Sequence, residues 1–135
     1  MEITSKGRNA VRIMADIAKN HPDYVSISDI SKRQAITIKY LEKIMSMLLK
    51  ANLVESMRGI NGGYKLTKPA SDYTIKEILD ATGDTIKLSS CLHENSCPRK
   101  GNCETVGVWN TLGCLINKYL ASITLKDLLD KTYKK

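Results

Sequence analysis

The feature that most constrains this chain is a pair of helix-forming stretches separated by only a few residues. The first, over residues 26–34, begins with Ser26 and Asp29 at the spacing of a capping box. After a two-residue connection, Thr37 can cap a longer helix, whose apolar side chains recur at helical spacing. Those side chains are Leu41, Ile44, Met45, Leu48 and Leu49. Two helices joined so closely predict a helix-turn-helix unit.

A glycine-rich turn follows between two strand-like segments. Apolar and polar side chains alternate over residues 53–58 as they do in a strand, and residues 64–67 fit the returning strand of a hairpin. Gly59, Gly62 and Gly63 lie in the turn between them, where glycine permits a positive φ. A β-hairpin directly after the second helix of a helix-turn-helix predicts a winged helix. The expected fold is therefore mainly α with a small β-hairpin.

Four further stretches have helical spacing, over residues 5–20, 75–82, 104–122 and 125–132. Ser5 can cap the first of them. The third has more apolar surface than so small a domain can cover, and we interpret it as a dimerisation helix. The alternative is that it folds back on the first helix. The chain then divides into a winged helix-turn-helix domain over 1–82, a cysteine-bearing loop over 83–103, and the dimerisation helix with a short C-terminal helix over 104–135.

Positive charge is concentrated in the N-terminal half. The net charge is +7, and residues 1–70 carry twelve Lys and Arg against six Asp and Glu, whereas residues 71–135 carry nine against eight. Such a basic half indicates binding of a polyanion, nucleic acid before anionic membrane; the alternative is a basic surface that only aids solubility. No stretch approaches the roughly 20 apolar residues of a bilayer span, and the N-terminus lacks the apolar core of a signal peptide. We therefore expect a cytoplasmic protein with no membrane partner.

Candidate DNA contacts lie on the second predicted helix and in the hairpin turn. Lysines near the start of that helix can neutralise phosphates or reach guanine, and hydroxyl groups there can donate to phosphates. Glu42 is repelled by phosphates unless it accepts from cytosine N4; the alternative is a solvent-facing partner of a neighbouring lysine. Arg58 is the strongest candidate for a phosphate or the minor groove. The full set is Ser28, Thr37, Lys39, Tyr40, Glu42, Lys43, Arg58, Gly59 and Gly62.

Three cysteines, Cys91, Cys97 and Cys103, recur at intervals of six residues in a stretch without helical spacing. Disulfides are uncommon in the cytosol, so four cysteines in the chain favour metal or redox chemistry. Thiolates prefer iron–sulfur clusters, zinc or copper(I). Zinc sites usually hold cysteines about two to four residues apart, whereas the wider spacing suits a bulky cluster wrapped by one loop. Free thiols, a redox disulfide and zinc are the alternatives.

Three cysteines are one ligand short of a full set. The candidates for the fourth ligand are His93 and Glu104 first, then Glu94, Cys114, a residue of a partner chain or an exogenous ligand. The sequence has no evident nucleophile–base pair, carboxylate dyad or phosphate-binding loop, so we expect no enzymatic activity. An iron–sulfur electron carrier or cluster scaffold is an alternative function.

These segments together resemble a family of winged-helix bacterial regulators that includes the iron–sulfur regulator IscR, the nitric-oxide sensor NsrR and the cysteine-metabolism regulator CymR. The matching segments are I-T-S-K-G-R-N-A-V, I-S-D-I-S-K-R-Q-A-I-T-I-K-Y-L-E, R-G-I-N-G-G-Y, the three-cysteine loop, V-W-N-T-L and I-T-L-K-D-L. The resemblance covers nearly the whole chain and is strongest to the IscR-like members.

The resemblance implies a homodimer on palindrome-like promoter DNA, with a 2Fe–2S or 4Fe–4S cluster on the three cysteines of each subunit. The state of the cluster would control DNA binding, in the regulation of cluster assembly or of a related redox, iron or nitric-oxide response. It also implies that Glu42 takes part in site discrimination. Val106 stands where IscR-like proteins have a histidine ligand, and Arg8 where NsrR-like proteins have an aspartate. The CymR-like members imply instead a cluster-free regulator of cysteine metabolism with a metabolic enzyme as partner.

Overall fold

The computed structural model describes residues 2–84, 86, 88 and 97–133, and Lys100 by its backbone alone. These residues form helices and one antiparallel hairpin, and the predicted fold class is confirmed. In chain order the elements are α1 (Ser5–Lys19), α2 (Ile27–Gln34), α3 (Ile38–Lys50), β1 (Val54–Met57), β2 (Gly63–Leu66), a 3₁₀ turn (Ala70–Asp72), α4 (Ile75–Ala81), a second 3₁₀ turn (Lys100–Asn102), α5 (Val106–Ser122) and α6 (Leu125–Asp130).

The start of α1 is held by a buried carboxylate, Asp84, which follows α4 in the sequence. Asp84 accepts a hydrogen bond from the Thr4 backbone N–H at 3.0 Å and another from Thr4 Oγ1 at 2.7 Å. Thr4 in turn caps α1, because its Oγ1 accepts from the Gly7 N–H at 3.1 Å. The expectation that Ser5 is the cap is therefore wrong, since Ser5 is already the first helical residue. A Cβ on Gly7 would collide with the Asp84 carboxylate, so only glycine allows this approach.

The helix-turn-helix has both predicted N-caps, although only the Ser26 half of the predicted capping box forms. Ser26 Oγ accepts from the Asp29 N–H at 3.1 Å, and Thr37 Oγ1 accepts from the Tyr40 N–H at 3.3 Å. Between α2 and α3, Ala35 adopts a left-handed conformation with φ +54°, which turns the chain sharply. The apolar stripe of α3 is buried as its spacing predicts, at Leu41, Ile44, Met45 and Leu48. The two helices thus have the short connection that a helix-turn-helix needs.

The hairpin is fastened to the body of the domain near its turn, at the start of β2. Val54 pairs with Leu66 and Met57 with Gly63, and Val25, just before α2, exchanges two 2.8 Å backbone hydrogen bonds with Tyr64. Gly63 has φ +146°, and a Cβ there would meet the Val25 carbonyl. The strand β2 is therefore linked to the segment that enters α2.

The Tyr73 ring, fully buried, joins the two ends of the hairpin. Its hydroxyl donates to the Leu53 carbonyl at 2.7 Å and accepts from the backbone N–H groups of Thr67 at 2.8 Å and Lys68 at 3.2 Å. A buried hydroxyl with all its partners satisfied fixes the geometry around it. The hydrophobic core continues from here between α1, α3 and α6, where Ile13, Ile17, Leu48 and Leu125 are fully buried.

A second buried carboxylate joins α1 to α2. Asp16 lies on the inner face of α1 and accepts hydrogen bonds from Arg33 Nε at 3.0 Å, Arg33 Nη2 at 2.7 Å and Gln34 Nε2 at 2.7 Å. Burial raises the pKa of Asp16, but the hydrogen bonds from Arg33 and Gln34 and the charge of Arg33 outweigh it and hold the pKa below its usual value. Arg12 adds a 2.6 Å bond from Nη2 to the Gln34 carbonyl.

No helix within the described ranges is long and apolar enough to cross a membrane. The division of the chain into three regions at residues 82 and 103 stays a prediction.

We predict that Asp16→Asn lowers the free energy of unfolding by about 2 kcal/mol at pH 7, because a neutral amide forms weaker bonds with Arg33 and cannot accept at both of its terminal atoms. The depressed pKa stabilises the native state at pH values above the unfolded-state pKa, about 3.9, and this contribution is lost as the pH falls through the folded-state pKa. Urea denaturation from pH 7 to pH 3 should therefore show the gap between wild type and variant closing in acid.

The matched control is Asp23→Asn, at an exposed aspartate in the loop before α2, which should leave the free energy of unfolding within about 0.5 kcal/mol of wild type. An Asp16→Asn variant as stable as Asp23→Asn at pH 7 would contradict the account of this contact.

Candidate nucleic-acid interface and metal centre

The first turns of α3 present a polar, charged face to solvent. Thr37, Lys39, Glu42 and Lys43 are exposed, whereas Tyr40 is partly buried and packs against the core. Lys39 and Lys43 are four residues apart and therefore neighbours on one side of the helix. Thr37 uses its oxygen to accept from Tyr40, which leaves its hydroxyl proton free to donate. Five of the nine predicted DNA contacts thus lie together at the start of α3.

Glu42 is exposed near the start of α3, three residues after Lys39. The ion pairs among the described residues join Arg33 to Asp16, Lys65 to Glu55, Lys68 to Glu77 and Lys76 to Asp80. Glu42 takes part in none of these. Its carboxylate is therefore available to accept from a base edge, and both interpretations of Glu42 stay predictions.

The tip of the hairpin forms a second exposed surface. Arg58 directly follows β1 and is exposed. Gly59 has φ +117°, and the Gly62 N–H donates to the Gly59 carbonyl at 3.1 Å to close the turn. A Cβ on Gly62 would collide with the Met57 carbonyl, so this turn depends on glycine. Ser28 is also exposed, near the start of α2.

Sequence reasoning missed two features of this surface. The first is the contact of Asp16 with Arg33 and Gln34, which orients α2; its signal is an aspartate within the apolar stripe of α1, between Ile13 and Ile17. The second is Ile60, which stands fully exposed at the tip of the hairpin. Its only sequence signal is an isoleucine among turn residues.

The cysteine site is described at two of its three thiols. Cys97 and Cys103 are free and partly buried, and Cys103 lies two residues before the cap of α5. Cys91 and the candidate ligand His93 lie outside the described residues. Glu104 is exposed beside Cys103. Within the described ranges no three His, Cys, Asp or Glu side chains converge as a metal site.

The surroundings of Cys103 favour its thiolate. The Thr105 hydroxyl lies 3.4 Å from Cys103 Sγ, and this hydrogen bond is the main cause of a lowered pKa for the thiol. Backbone N–H groups of Thr105 and Val106 and the charge of Arg99 act in the same direction. Since iron and zinc bind the thiolate rather than the thiol, this environment suits a metal ligand.

The helix α5 has an apolar face that the described residues leave uncovered. None of its seventeen residues is buried. The exposed apolar side chains are Val108, Trp109, Leu112, Leu115 and Tyr119. A groove of about 600 Å³ runs along this helix, with Leu115 and Tyr119 on one side and Ile3, Arg8 and Ile86 on the other. Cys114, in the same helix, is exposed rather than packed.

Comparison with known proteins identifies the family. A family model described as Rrf2, iron-dependent transcriptional regulator, matches residues 3–131. The chain belongs to the Rrf2 family. The match runs from the start of α1 to the end of α6, so the winged helix, the cysteine segment and α5 all lie within the Rrf2 pattern.

Individual Rrf2 proteins give the same result. The chain is 38% identical over 131 residues to the HTH-type transcriptional regulator IscR of Photorhabdus laumondii, which covers 96% of this chain and 80% of that protein. Among solved structures it is similar to CymR, the global cysteine regulator of B. subtilis, with a TM-score of 0.77 and 28% sequence identity. The match covers 100% of this chain and 99% of the CymR chain. It is also similar to IscR of T. potens, with a TM-score of 0.75 and 31% sequence identity, over 98% of this chain and 88% of the IscR chain.

These similarities confirm the resemblance inferred from the sequence. Rrf2 proteins are named as transcriptional regulators and not as enzymes, which agrees with the predicted class. The protein is therefore an Rrf2-family, DNA-binding transcriptional regulator with a winged helix.

Proposed function

We propose that this regulator binds palindrome-like promoter DNA as a homodimer in the cytoplasm, and that an iron–sulfur cluster on Cys91, Cys97 and Cys103 controls the binding. The observation that carries the proposal is the position of the thiols. Cys97 and Cys103 are partly buried in the segment that precedes α5, in a protein 38% identical to a regulator named IscR. The controlled response would be cluster assembly or a related redox, iron or nitric-oxide response.

The DNA would be read by the exposed start of α3 and by the hairpin. The N-terminal part of a recognition helix lies in the major groove, where Lys39 and Lys43 can reach phosphates or guanine and Glu42 can accept from cytosine. Arg58, at the edge of the glycine turn, suits a phosphate or a narrow minor groove. The excess of six positive charges in residues 1–70 supports this assignment.

The donor set fits an iron–sulfur cluster. Soft thiolates are the ligands of such clusters, and the hydrogen bond from Thr105 favours the thiolate at Cys103. Glu104, exposed beside Cys103, or His93 would supply the fourth ligand. When bound, the cluster would supply a redox-active, iron-containing group whose stability depends on oxidants and iron supply.

A chain of polar contacts leads from the cysteine segment to the DNA-binding helices. Asp84, seven residues before Cys91 in the sequence, binds the first turn of α1 through Thr4. The same helix holds Arg33 and Gln34 at the end of α2 through Asp16. A shift of the cysteine segment that moved Asp84 would therefore act on α1 and, through Asp16, on the helix-turn-helix.

The exposed face of α5 supports the homodimer. An uncovered apolar face on a helix of this length is typical of a protein–protein interface. Dimeric proteins that bind palindromic DNA need a subunit interface that places their two recognition helices at half-sites about 34–36 Å apart. The groove beside Leu115 and Tyr119 offers room for a side chain from a second copy.

The structural similarity to CymR, over the full chain with a TM-score of 0.77, favours a second candidate function. This is a cluster-free regulator of cysteine metabolism that acts through a metabolic enzyme. The two candidates differ in iron content, so the same experiment separates them.

Anaerobically purified wild-type protein should be coloured and contain iron and acid-labile sulfide. Cys97→Ala should lose most of the iron, because one of the three thiolate ligands is removed. Ser46→Ala is the control, since it trims an exposed side chain of α3 that is not a candidate ligand and should keep the iron. Wild-type protein that is colourless and iron-free but still binds DNA would favour the CymR-like function. Full iron content in Cys97→Ala would contradict the ligand assignment.

Leu115→Glu should convert the dimer to monomers, because it buries an unpaired charge in the apolar interface of α5. We expect the dimer dissociation constant from analytical ultracentrifugation to rise at least about a hundredfold. Lys126→Glu introduces the same side chain at an exposed position of α6 and should leave the constant unchanged. A wild-type monomer at micromolar concentration, or an unaffected Leu115→Glu dimer, would overturn the assignment of α5.

A further inference from the structure

The Ile60 side chain is the most exposed large apolar group described in this chain. Its relative exposure is 104%, as large as in an isolated extended peptide, so it makes no contribution to the packing of the fold. It stands in the hairpin turn between Gly59, with φ +117°, and Asn61. The turn around it is closed by the hydrogen bond from Gly62 to Gly59. The fold therefore presents Ile60 outward on an ordered turn without using it.

The neighbourhood of Ile60 makes this exposure informative. Single exposed apolar residues are common and need no explanation, but this one lies two residues from Arg58 at the tip of the wing. An open cleft of about 440 Å³ separates it from the loop before α2. Two carboxylates, Asp23 and Asp29, line that cleft and disfavour phosphates there, so DNA would meet the outer end of the tip.

We propose that Ile60 enters the minor groove of the promoter beside Arg58 and packs against sugars and base edges. The inference rests on the proposed DNA-binding role of the wing and adds an apolar contact to it. Isoleucine and similar residues act as apolar wedges in minor-groove binding proteins. A β-branched side chain is stiff at χ1, and the absence of a Cβ at Gly59 and Gly62 leaves room for the backbone to approach the groove.

The two wing side chains then contribute to binding in different ways. Arg58 displaces counterions, so its contribution falls as salt rises. Ile60 removes apolar surface from water, and that contribution does not depend on counterion release. The salt dependence of affinity therefore separates an apolar contact from a general loss of charge or of structure.

The test is a series of fluorescence anisotropy titrations at several salt concentrations. The probe is a duplex of about 30 base pairs, long enough for two half-sites, selected with the wild-type protein from a random-sequence library. Ile60→Ala should weaken binding about tenfold at every salt concentration and leave the slope of log affinity against log salt unchanged. Arg58→Ala should lower that slope by about one.

Two controls complete the test. Ile60→Val keeps a branched apolar side chain and should lose no more than about fourfold in affinity, the effect of one methylene group. The melting temperature of Ile60→Ala should equal that of wild type, because the side chain is fully exposed. Wild-type affinity in Ile60→Ala, or a loss accompanied by a changed salt slope, would overturn the assignment of Ile60. Failure of the wild-type protein to select any duplex would instead overturn the proposed DNA-binding function on which the inference rests.

Discussion

The structure depends on one carboxylate, that of Asp16, which holds α2 against α1. A carboxylate almost without solvent exposure is stable only when charged and hydrogen-bonded partners replace its water, and Arg33 and Gln34 supply three such bonds. Both partners belong to the last turn of α2, directly before the left-handed Ala35 that leads into α3. The contact with Asp16 therefore fixes the end of α2 from which the chain turns into α3.

The same helix that carries Asp16 is held at its other end by Asp84. The two contacts make α1 a connection between the segment that precedes the cysteines and the helix-turn-helix. Ile13 and Ile17 of this helix are fully buried in the core to which α3 and α6 also contribute. A regulator needs a coupling of this kind, since a ligand changes DNA affinity only if both sites bias the same structural element.

Local patterns predicted much of this fold. The caps at Ser26 and Thr37, the apolar stripe of α3 and the glycine turn depend on residues close in sequence, so their signals were readable. Contacts between distant residues were not predicted. Thr74 and Glu77, for example, have the spacing of a capping box, and Thr74 Oγ1 does accept from the Glu77 N–H. The Glu77 carboxylate instead accepts from Lys68 Nζ at 3.0 and 3.3 Å, a contact from outside the helix. The Thr4 cap depends on Asp84, eighty residues away, which no local pattern reveals.

The candidate site likewise combines features that local sequence patterns predict with features that only the structure shows. The charged side chains of α3 and the wing were predicted from residue type and spacing, whereas the exposure of Ile60 and the availability of Glu42 required the structure. Spacing alone indicated the cysteine triad, and the structure adds the Thr105 hydrogen bond that favours the thiolate at Cys103. The fourth ligand does not follow from spacing, because it need not be close to the triad in the sequence.

The central claim is that the cysteine site controls DNA binding. The most direct measurement compares the affinity of one anaerobic preparation for one selected duplex before and after the iron is removed with a chelator. The account predicts that affinity changes by about fivefold to 150-fold, the range typical of allosteric coupling, and that anaerobic reconstitution with iron and sulfide restores the first value. Equal affinities with and without iron, in protein that demonstrably carried the cluster, would contradict it.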